Sequence, residues 1–283
     1  MKEILLSCAL MVVLAAPAFA GNVADIDQIG DSNSATVEHG EGLENGNVGI
    51  INQTGDFNSA AVEQVNGNRA EVDQAGDRNS ATVWQGWDTF ADIDQTGDLN
   101  SAIVWHGFDE HAFIDQTGDR NSATVGQHGT DHGAYVTQLG DDNSATINQQ
   151  GVFDTGRISQ VGNENVAILD QEGGYENTAT VSQEGDRNQA TASQSGFWVD
   201  SEVAQVGEDN IADINQNGDR NVLELDQFGS SNNATVSQAD LSNAAYIFQE
   251  GADNIATVTQ TVGGNMAYVD SYGKGNIANV TQN

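Results

Sequence analysis

Side-chain amides recur at fixed spacing along this sequence, and their chemistry is hydrogen bonding rather than bond making. A glutamine opens the pattern Gln-x-Gly-x-x-Asn-x-Ala-x-aliphatic-x-Gln, and the asparagine follows it by five residues. A primary amide both donates and accepts, so identical amides stacked one above another can bond to one another. The leading glutamines are Gln28, Gln53, Gln74, Gln95, Gln116, Gln138, Gln160, Gln183, Gln205, Gln227 and Gln249, and Ser271 takes this place in the last copy. The asparagines are Asn33, Asn58, Asn79, Asn100, Asn121, Asn143, Asn165, Asn188, Asn210, Asn232, Asn254 and Asn276.

Each copy of the pattern holds two similar halves. The copies begin 21 to 25 residues apart, and the second glutamine position holds His39 and His106 in two of the twelve. An aliphatic residue lies two positions before every leading glutamine. Several copies carry a further asparagine six positions before the leading glutamine, namely Asn47, Asn68, Asn177, Asn221, Asn243 and Asn265. The repeating unit is therefore a doubled motif of about eleven residues per half.

The parity of the motif predicts the elements that position these amides. Asn, Ala, aliphatic and Gln occupy every second position, which is the spacing of one face of a β-strand. Gly-Asp-x-Asn and similar breaks between strands supply the backbone angles of tight turns. We therefore predict an all-β fold, a β-solenoid of about twelve strand-arc-strand layers with two parallel sheets, of the amyloid type. A buried amide without a partner costs about 1–3 kcal/mol, which explains the strict register.

Composition and the first residues bound the class of protein. The 283 residues include 8 basic and 42 acidic ones, a net charge of −34, which makes nucleic acid an unsuitable direct partner. Such polarity predicts disorder unless regular repetition offsets it. Lys2, the apolar residues 4–15 and the Ala-Phe-Ala ending of residues 18–20 predict a secretory signal peptide over residues 1–20. The repeats then occupy residues 21–283 of a secreted chain, in which we predict no membrane span.

The repeat resembles a known one. The copy at residues 74–85, Gln-Ala-Gly-Asp-Arg-Asn-Ser-Ala-Thr-Val-Trp-Gln, resembles the curlin repeat of bacterial curli fibre subunits, and the likeness covers essentially residues 21–283. The resemblance implies a secreted subunit that passes an outer-membrane pore and polymerises with itself, on a nucleator subunit, into adhesive fibres of the biofilm matrix. It also implies that the glutamines and asparagines above are the polymerising ladder.

Two features differ from curli subunits. These commonly carry a Gly-rich segment before the first repeat, whereas residues 22–26 here already predict a strand, so the export route stays open. Twelve repeats also exceed the handful that is typical of the main subunit, which leaves open whether this is a major or a minor subunit.

An aspartate follows the motif glycine in seven copies. In layers about 4.8 Å apart these carboxylates form a column of like charge. Neighbouring carboxylates are closer than the screening length of roughly 8 Å at physiological salt, so they repel one another. One interpretation is a solvated column that keeps the monomer soluble. The other is a charge gate on assembly, released by calcium or by acid. The residues are Asp31, Asp56, Asp77, Asp98, Asp119, Asp141 and Asp186.

Other functions are less favoured by the pattern. Catalysis needs a few convergent residues, whereas the recurring residues here are periodic, so we predict that the protein is not an enzyme and has no cofactor. We also predict no metal site, although residues 128–132 hold two histidines and an aspartate close together. The alternative is a soluble secreted solenoid that binds ice or calcium on a flat face. Outward aromatics are either scattered or form a patch for fibre bundling; they are Trp84, Trp105, Phe113 and Tyr135. A threonine column favours the ice-binding alternative but is interrupted at five positions; it comprises Thr36, Thr82, Thr124, Thr146, Thr191, Thr235 and Thr257.

Overall fold

A computed structural model describes residues 21–40 and 46–283, and in these residues every regular element is a β-strand. The predicted signal peptide, residues 1–20, lies outside the described residues. The strands are β1 (Val23–Ile29), β2 (Ser34–His39), β3 (Val48–Thr54), β4 (Ser59–Asn66), β5 (Arg69–Ala75), β6 (Ser80–Trp87), β7 (Phe90–Thr96), β8 (Ser101–Phe108), β9 (His111–Thr117), β10 (Ser122–Thr130), β11 (Gly133–Leu139), β12 (Ser144–Val152), β13 (Thr155–Val161), β14 (Val166–Tyr175), β15 (Thr178–Asp186), β16 (Gln189–Phe197), β17 (Asp200–Glu208), β18 (Ile211–Asn217), β19 (Val222–Ser230), β20 (Asn233–Ala239), β21 (Ala244–Ala252), β22 (Ile255–Gln260), β23 (Met266–Lys274) and β24 (Ile277–Gln282).

The strands form two parallel sheets of twelve strands each. The odd-numbered strands pair in order in one sheet, here called the odd sheet, and the even-numbered strands pair in order in the even sheet. One odd and one even strand make one layer of the solenoid. An odd arc joins the two strands within a layer, and an even arc leads to the next layer. The predicted fold, a twelve-layer β-solenoid with two parallel sheets, is confirmed.

The core lies between the two sheets and follows the predicted parity. In β4 every second residue is buried, from Ala60 through Val62 and Gln64 to Asn66. The space between the sheets is narrow at Gly156. A Cβ added at this residue would lie only 2.9 Å from Ile147 Cγ2. Small residues opposite aliphatic ones therefore let the sheets approach closely enough to exclude water.

The arcs bring backbone against backbone. Gly118 has a φ of +118°, and a Cβ at this position would lie 2.1 Å from Gly140 O in the next layer. Two residues later Arg120 has a φ of 58°, in the left-handed region. The motif glycine is thus needed both for its backbone angle and for the contact with the next arc.

Register is held in each sheet by the position of the amides. Gln116 pairs with Gln138, and Gln138 with Gln160, while flanking residues keep the same offset. A local irregularity occurs where β8 pairs with β10, between Gly126 and Thr130. Among the described strands, the first and last of each sheet pair on one side only: β1, β2, β23 and β24.

Candidate functional site

The leading glutamines form a continuous ladder inside the odd sheet. Each Nε2 donates to Oε1 of the equivalent glutamine in the following layer, at 2.6–2.9 Å, from Gln28 to Gln249. The second amide hydrogen is also used; Gln116 Nε2, for example, donates to Ser101 O at 3.1 Å. The ladder ends at Ser271, whose buried Oγ has no hydrogen-bond partner among the described residues.

A second glutamine ladder lies in the even sheet and was not among the predicted site residues. Its signal was present in the sequence, because the same motif ends in a glutamine in ten copies. Gln64 donates to Gln85 at 2.8 Å. From Gln127 to Gln282 the bonds run through seven further steps of 2.8–3.3 Å. Most layers therefore carry two amide bonds to the next, one per sheet.

His106 interrupts the second ladder. It lies between Gln85 and Gln127 and is 8% exposed, and neither of its ring nitrogens has hydrogen-bond geometry with a described group. Gln127 Oε1 is likewise without a partner. Burial, and then the nearby His111, lower the pKa of His106 to about 3, although Gln127 beside the ring acts in the opposite direction. The ring is therefore neutral at physiological pH and leaves the ladder open at this layer.

The motif asparagines bond to backbone groups of the adjacent arcs, and from Asn121 to Asn276 they also form an amide-to-amide ladder. Asn79 Nδ2 donates to Gly97 O at 2.7 Å, and its Oδ1 accepts from the backbone N of Asn100 at 2.9 Å. Amide-to-amide bonds occur in addition in later layers, as from Asn165 Nδ2 to Asn143 Oδ1 at 3.1 Å. The shorter side chain stands at the arc, where backbone groups of the next layer are within reach. The asparagine column thus joins consecutive odd arcs mainly through their backbones.

The predicted charge-gate aspartates have a bonding role as well. Asp77 Oδ1 accepts from the backbone N of Asp56 at 2.8 Å, and Asp98 Oδ1 accepts from that of Asp77 at 2.8 Å. The same bond continues from Asp31 to Asp186, with Asn163 as the acceptor in one layer. The sequence suggested a column of charge, either solvated or gating assembly, but no bonding role, because it does not show which N–H groups the arc exposes.

The outward aromatics form two separate stacks rather than one patch. Trp84 and Trp105 lie on the even sheet with ring centroids 5.3 Å apart and planes at 2°. Phe113 and Tyr135 lie on the odd sheet at 5.3 Å and 3°, and Arg157 covers the Tyr135 ring at 4.4 Å. The two stacks face opposite sides of the solenoid. The threonine column is on the even sheet, where Thr124 pairs with Ile103 on one side.

Metal binding and membrane crossing leave no local signature in the part of the chain that the structure describes. Three or more His, Cys, Asp or Glu side chains are nowhere grouped there in a way that could hold a metal ion. Nor do those residues include a helix of the length and apolarity that a membrane crossing requires.

Comparison with known proteins agrees with the geometry of the repeats. A family model described as Curlin associated repeat matches four successive segments, residues 109–140, 140–173, 174–207 and 207–239. Each matched segment spans more than one strand of the solenoid, and together they lie in its central layers. No curated protein matches the sequence.

Proposed function

This chain belongs to the curlin-repeat family, and on that premise we propose that it is a structural subunit of an extracellular, curli-like amyloid fibre. The family is structural rather than enzymatic. The fibre grows by the stacking of one chain on another and serves the biofilm matrix and surface adhesion. The predicted signal peptide supports secretion, and a nucleator subunit and an outer-membrane pore are partners that the family suggests.

The observation that carries the proposal is that an inner layer completes the amide hydrogen bonds of its neighbour at nearly every step of the odd-sheet ladder. Gln138, for instance, accepts from Gln116 at 2.8 Å and donates to Gln160 at 2.8 Å. A second copy of the chain presents the same strand register and Gln28 in its first described layer, so it can stack on the last described layer, where Ser271 takes the place of the glutamine. A strand edge with unpaired N–H and C=O groups favours such addition.

The outward groups at the last described strand can be identified. Ile255 N, at the start of β22, donates to Asn276 O at 2.8 Å, and Thr261 N, just after β22, donates to Gln282 O at 3.0 Å; both acceptors lie in the following layer. Thr257 has the same parity and pairs with Asn279. Because parity repeats in every layer, Asn279 directs its N–H away from β22, towards the position of the next chain.

A proline at this position tests the proposal. Purified mature protein left for days is expected to become sedimentable and to give a cross-β reflection near 4.8 Å. Asn279→Pro removes one outward N–H without removing a bond to β22, so it is expected to reduce the sedimented fraction severalfold. Asn279→Ala keeps the N–H and is the matched control, with sedimentation like that of the unmodified chain.

The outcomes separate the two functional classes. A mature chain that stays in the supernatant and gives no cross-β reflection contradicts the fibre proposal and favours the soluble ligand-binding solenoid. Equal sedimentation of Asn279→Pro and Asn279→Ala contradicts growth at this edge.

A further inference from the structure

A column of side chains lines the even arcs, six residues before the leading glutamine of the second and later layers or before Ser271 in the last, and it is buried from Asn47 to Asn243. Most members are asparagines, and they join the arcs; Asn47 Oδ1, for example, accepts from the backbone N of Asn68 at 2.9 Å. This even-arc column comprises Asn47, Asn68, Thr89, Glu110, His132, Asp154, Asn177, Val199, Asn221, Asn243 and Asn265. In three consecutive layers the asparagine is replaced by an ionisable side chain, namely Glu110, His132 and Asp154.

Glu110 lies fully inside the arc. It is 0% exposed; Oε1 accepts from Gly129 N at 3.0 Å, and Oε2 accepts from Gly107 N. Burial, more than the neighbouring Asp109, raises the pKa of Glu110 to about 7, although the two backbone bonds act against this. An asparagine here would carry no charge, whereas an ionised Glu110 places a negative charge where water does not reach.

His132 and Asp154 are packed against each other in the next two layers. His132 is 1% exposed and Asp154 0%. His132 Nδ1 accepts from the backbone N of Asp154 at 3.2 Å, so this nitrogen carries no proton. His132 Nε2 and Asp154 Oδ2 are without hydrogen-bond partners among the described groups. Burial lowers the pKa of His132 to about 4 and raises that of Asp154 to about 6.

The charged groups around the column do not neutralise these carboxylates. Asp154 Oδ2 lies 3.7 Å from His132 Nδ1, but the ring is neutral when it accepts a hydrogen bond there. Asp154 Oδ1 accepts from Asn177 N at 2.9 Å. In the described part of the chain, no Arg or Lys forms an ion pair with any of the three groups. The titratable groups that act on them electrostatically are Asp109 on Glu110, and Asp131 and His128 on His132.

We propose that Glu110, His132 and Asp154 make the centre of the solenoid a proton-regulated segment, which packs most firmly when all three side chains are neutral. Mild acid then tightens these layers, and neutral to alkaline pH loosens them, while layers with asparagine in the column respond less. This property belongs to the solenoid of a single chain and does not depend on polymerisation.

The direction follows from how each group titrates in the folded and unfolded chain. Glu110 and Asp154 have raised pKa values, so their stabilisation is present below the ordinary carboxyl range and is lost as pH rises through about 6 and then about 7. His132 acts oppositely: its contribution is present above pH 6.5 and is lost as pH falls through about 4. Between pH 8 and pH 5 the stabilisation gained by protonating Glu110 and Asp154 exceeds the stabilisation lost at His132. The stability of these layers therefore increases as the pH is lowered from 8 to 5.

Amide hydrogen exchange of the freshly purified, unassembled mature chain tests the proposal. After correction for intrinsic rates, amides of β9, β11 and β13 are expected to exchange about tenfold or more slowly at pH 5 than at pH 8. The amides of β19 and β21, which adjoin asparagines of the column, are expected to change less. Similar pH ratios in both groups of strands would overturn the proposal.

Charge-matched double variants separate buried from exposed carboxylates. Glu110→Gln with Asp154→Asn is expected to abolish the extra pH dependence of β9, β11 and β13. Glu63→Gln with Asp213→Asn removes the same number of charges from exposed positions and is expected to preserve it. The proposal fails if the buried pair of substitutions leaves the pH ratio unchanged, or if the exposed pair removes it equally.

NMR of the side-chain carboxyl carbons measures the titration of Glu110 and Asp154 directly in the unmodified chain. This measurement tests the proposal even if a variant does not fold. The expected titration midpoints are about 7 for Glu110 and about 6 for Asp154. Midpoints in the ordinary carboxyl range, near 4, would show that the two groups ionise freely in the folded chain and would overturn the proposal.

Discussion

A buried amide in this solenoid is satisfied by its equivalents in the neighbouring layers. Gln116 is 0% exposed, accepts from Gln95 at 2.8 Å and donates to Gln138 at 2.8 Å. A hydrogen bond contributes about 1 kcal/mol net, whereas a buried group left without a partner costs about 1–3 kcal/mol. The ladder is therefore more sensitive to the loss of one member than the net contribution of its bonds suggests.

Gln116→Leu tests this sensitivity. Leucine is apolar and fits the buried position, but it leaves one Gln95 N–H and the Gln138 Oε1 without partners. We expect a loss of about 2–4 kcal/mol in the free energy of unfolding, measured by denaturant titration of the mature chain. Gln189→Leu, at an exposed position of β16, is the control and is expected to change stability by less than about 0.5 kcal/mol. Equal effects of the two substitutions would contradict a stabilising ladder.

His106→Gln is expected to stabilise the chain. It supplies an amide between Gln85 and Gln127 and removes two ring nitrogens that are buried without partners, so we expect a gain of about 1–3 kcal/mol at pH 7. The pKa of His106 is lowered to about 3 in the folded chain. Its contribution to the free energy of unfolding is therefore present above pH 6.5 and is lost as pH falls through about 3. The increase in the free energy of unfolding that His106→Gln produces should therefore be larger at pH 4 than at pH 7. His128→Gln, at an exposed position, should show neither effect.

At the scale of the elements, the odd arcs decide how closely layers can stack. Their glycines place a backbone carbonyl of the next layer where a side chain would begin, as Gly118 does with Gly140 O. The asparagine and aspartate of the same arc then bond to backbone groups of the adjacent layer, as Asn79 and Asp77 do. The arc is thus a continuous interlayer contact, and its conformation is as constrained as that of the strands.

Gly118→Ala tests the constraint on the arc. The φ of +118° and a Cβ only 2.1 Å from Gly140 O force a rearrangement of two layers. We expect a loss of at least about 3 kcal/mol, since backbone strain alone costs about 1–3 kcal/mol. Gly40→Ala is the matched control, because its Cβ would meet Gln64 O at 3.5 Å, an ordinary contact. Thermal unfolding that is unchanged by Gly118→Ala would show that the arcs adapt freely.

At the scale of the whole molecule, we expect the negative charge to oppose the stacking that the ladders favour. The net charge is −34, and the aspartate column continues along the odd arcs. Each of these carboxylates also accepts a backbone hydrogen bond, so removal of the side chain would confound charge with bonding. Asn163 occupies the same column and accepts the same bond without a charge. Asparagine is therefore the substitution that isolates the charge.

The charge gate is tested by replacing Asp77, Asp98 and Asp119 with asparagine. The column keeps its acceptors and loses three negative charges, so fibre formation followed by dye fluorescence is expected to show a shorter lag at pH 8. Calcium should shorten the lag of the unmodified chain more than that of the variant.

A control with equal loss of charge is available elsewhere on the surface. Glu63→Gln, Asp213→Asn and Glu224→Gln remove three exposed charges outside the column and are expected to shorten the lag less. Identical lag times for the unmodified chain and the column variant, with and without calcium, would contradict the gate.

The strands, their inward faces and the number of layers could all be predicted from the amino-acid sequence. These properties depend on parity and repeat length, which are local: Ala60, Val62 and Gln64 are buried because they share one face of one strand. The glutamine ladder follows from the same local rule, since identical spacing places Gln116 beside Gln138. The ionisable members of the even-arc column were not predicted, although each departs from asparagine at the position six residues before a leading glutamine.

Only the tertiary structure decided which groups the arc side chains reach. Asn79 bonds to the backbone of the next arc, Asp77 accepts a backbone N–H, and Trp84 and Phe113 belong to stacks on opposite sheets. The physical reason is that a strand offers each side chain one of two faces, whereas an arc turns the backbone through angles that the spacing does not specify. The burial of Glu110 depends on this path, and so does the expected response of the molecule to protons.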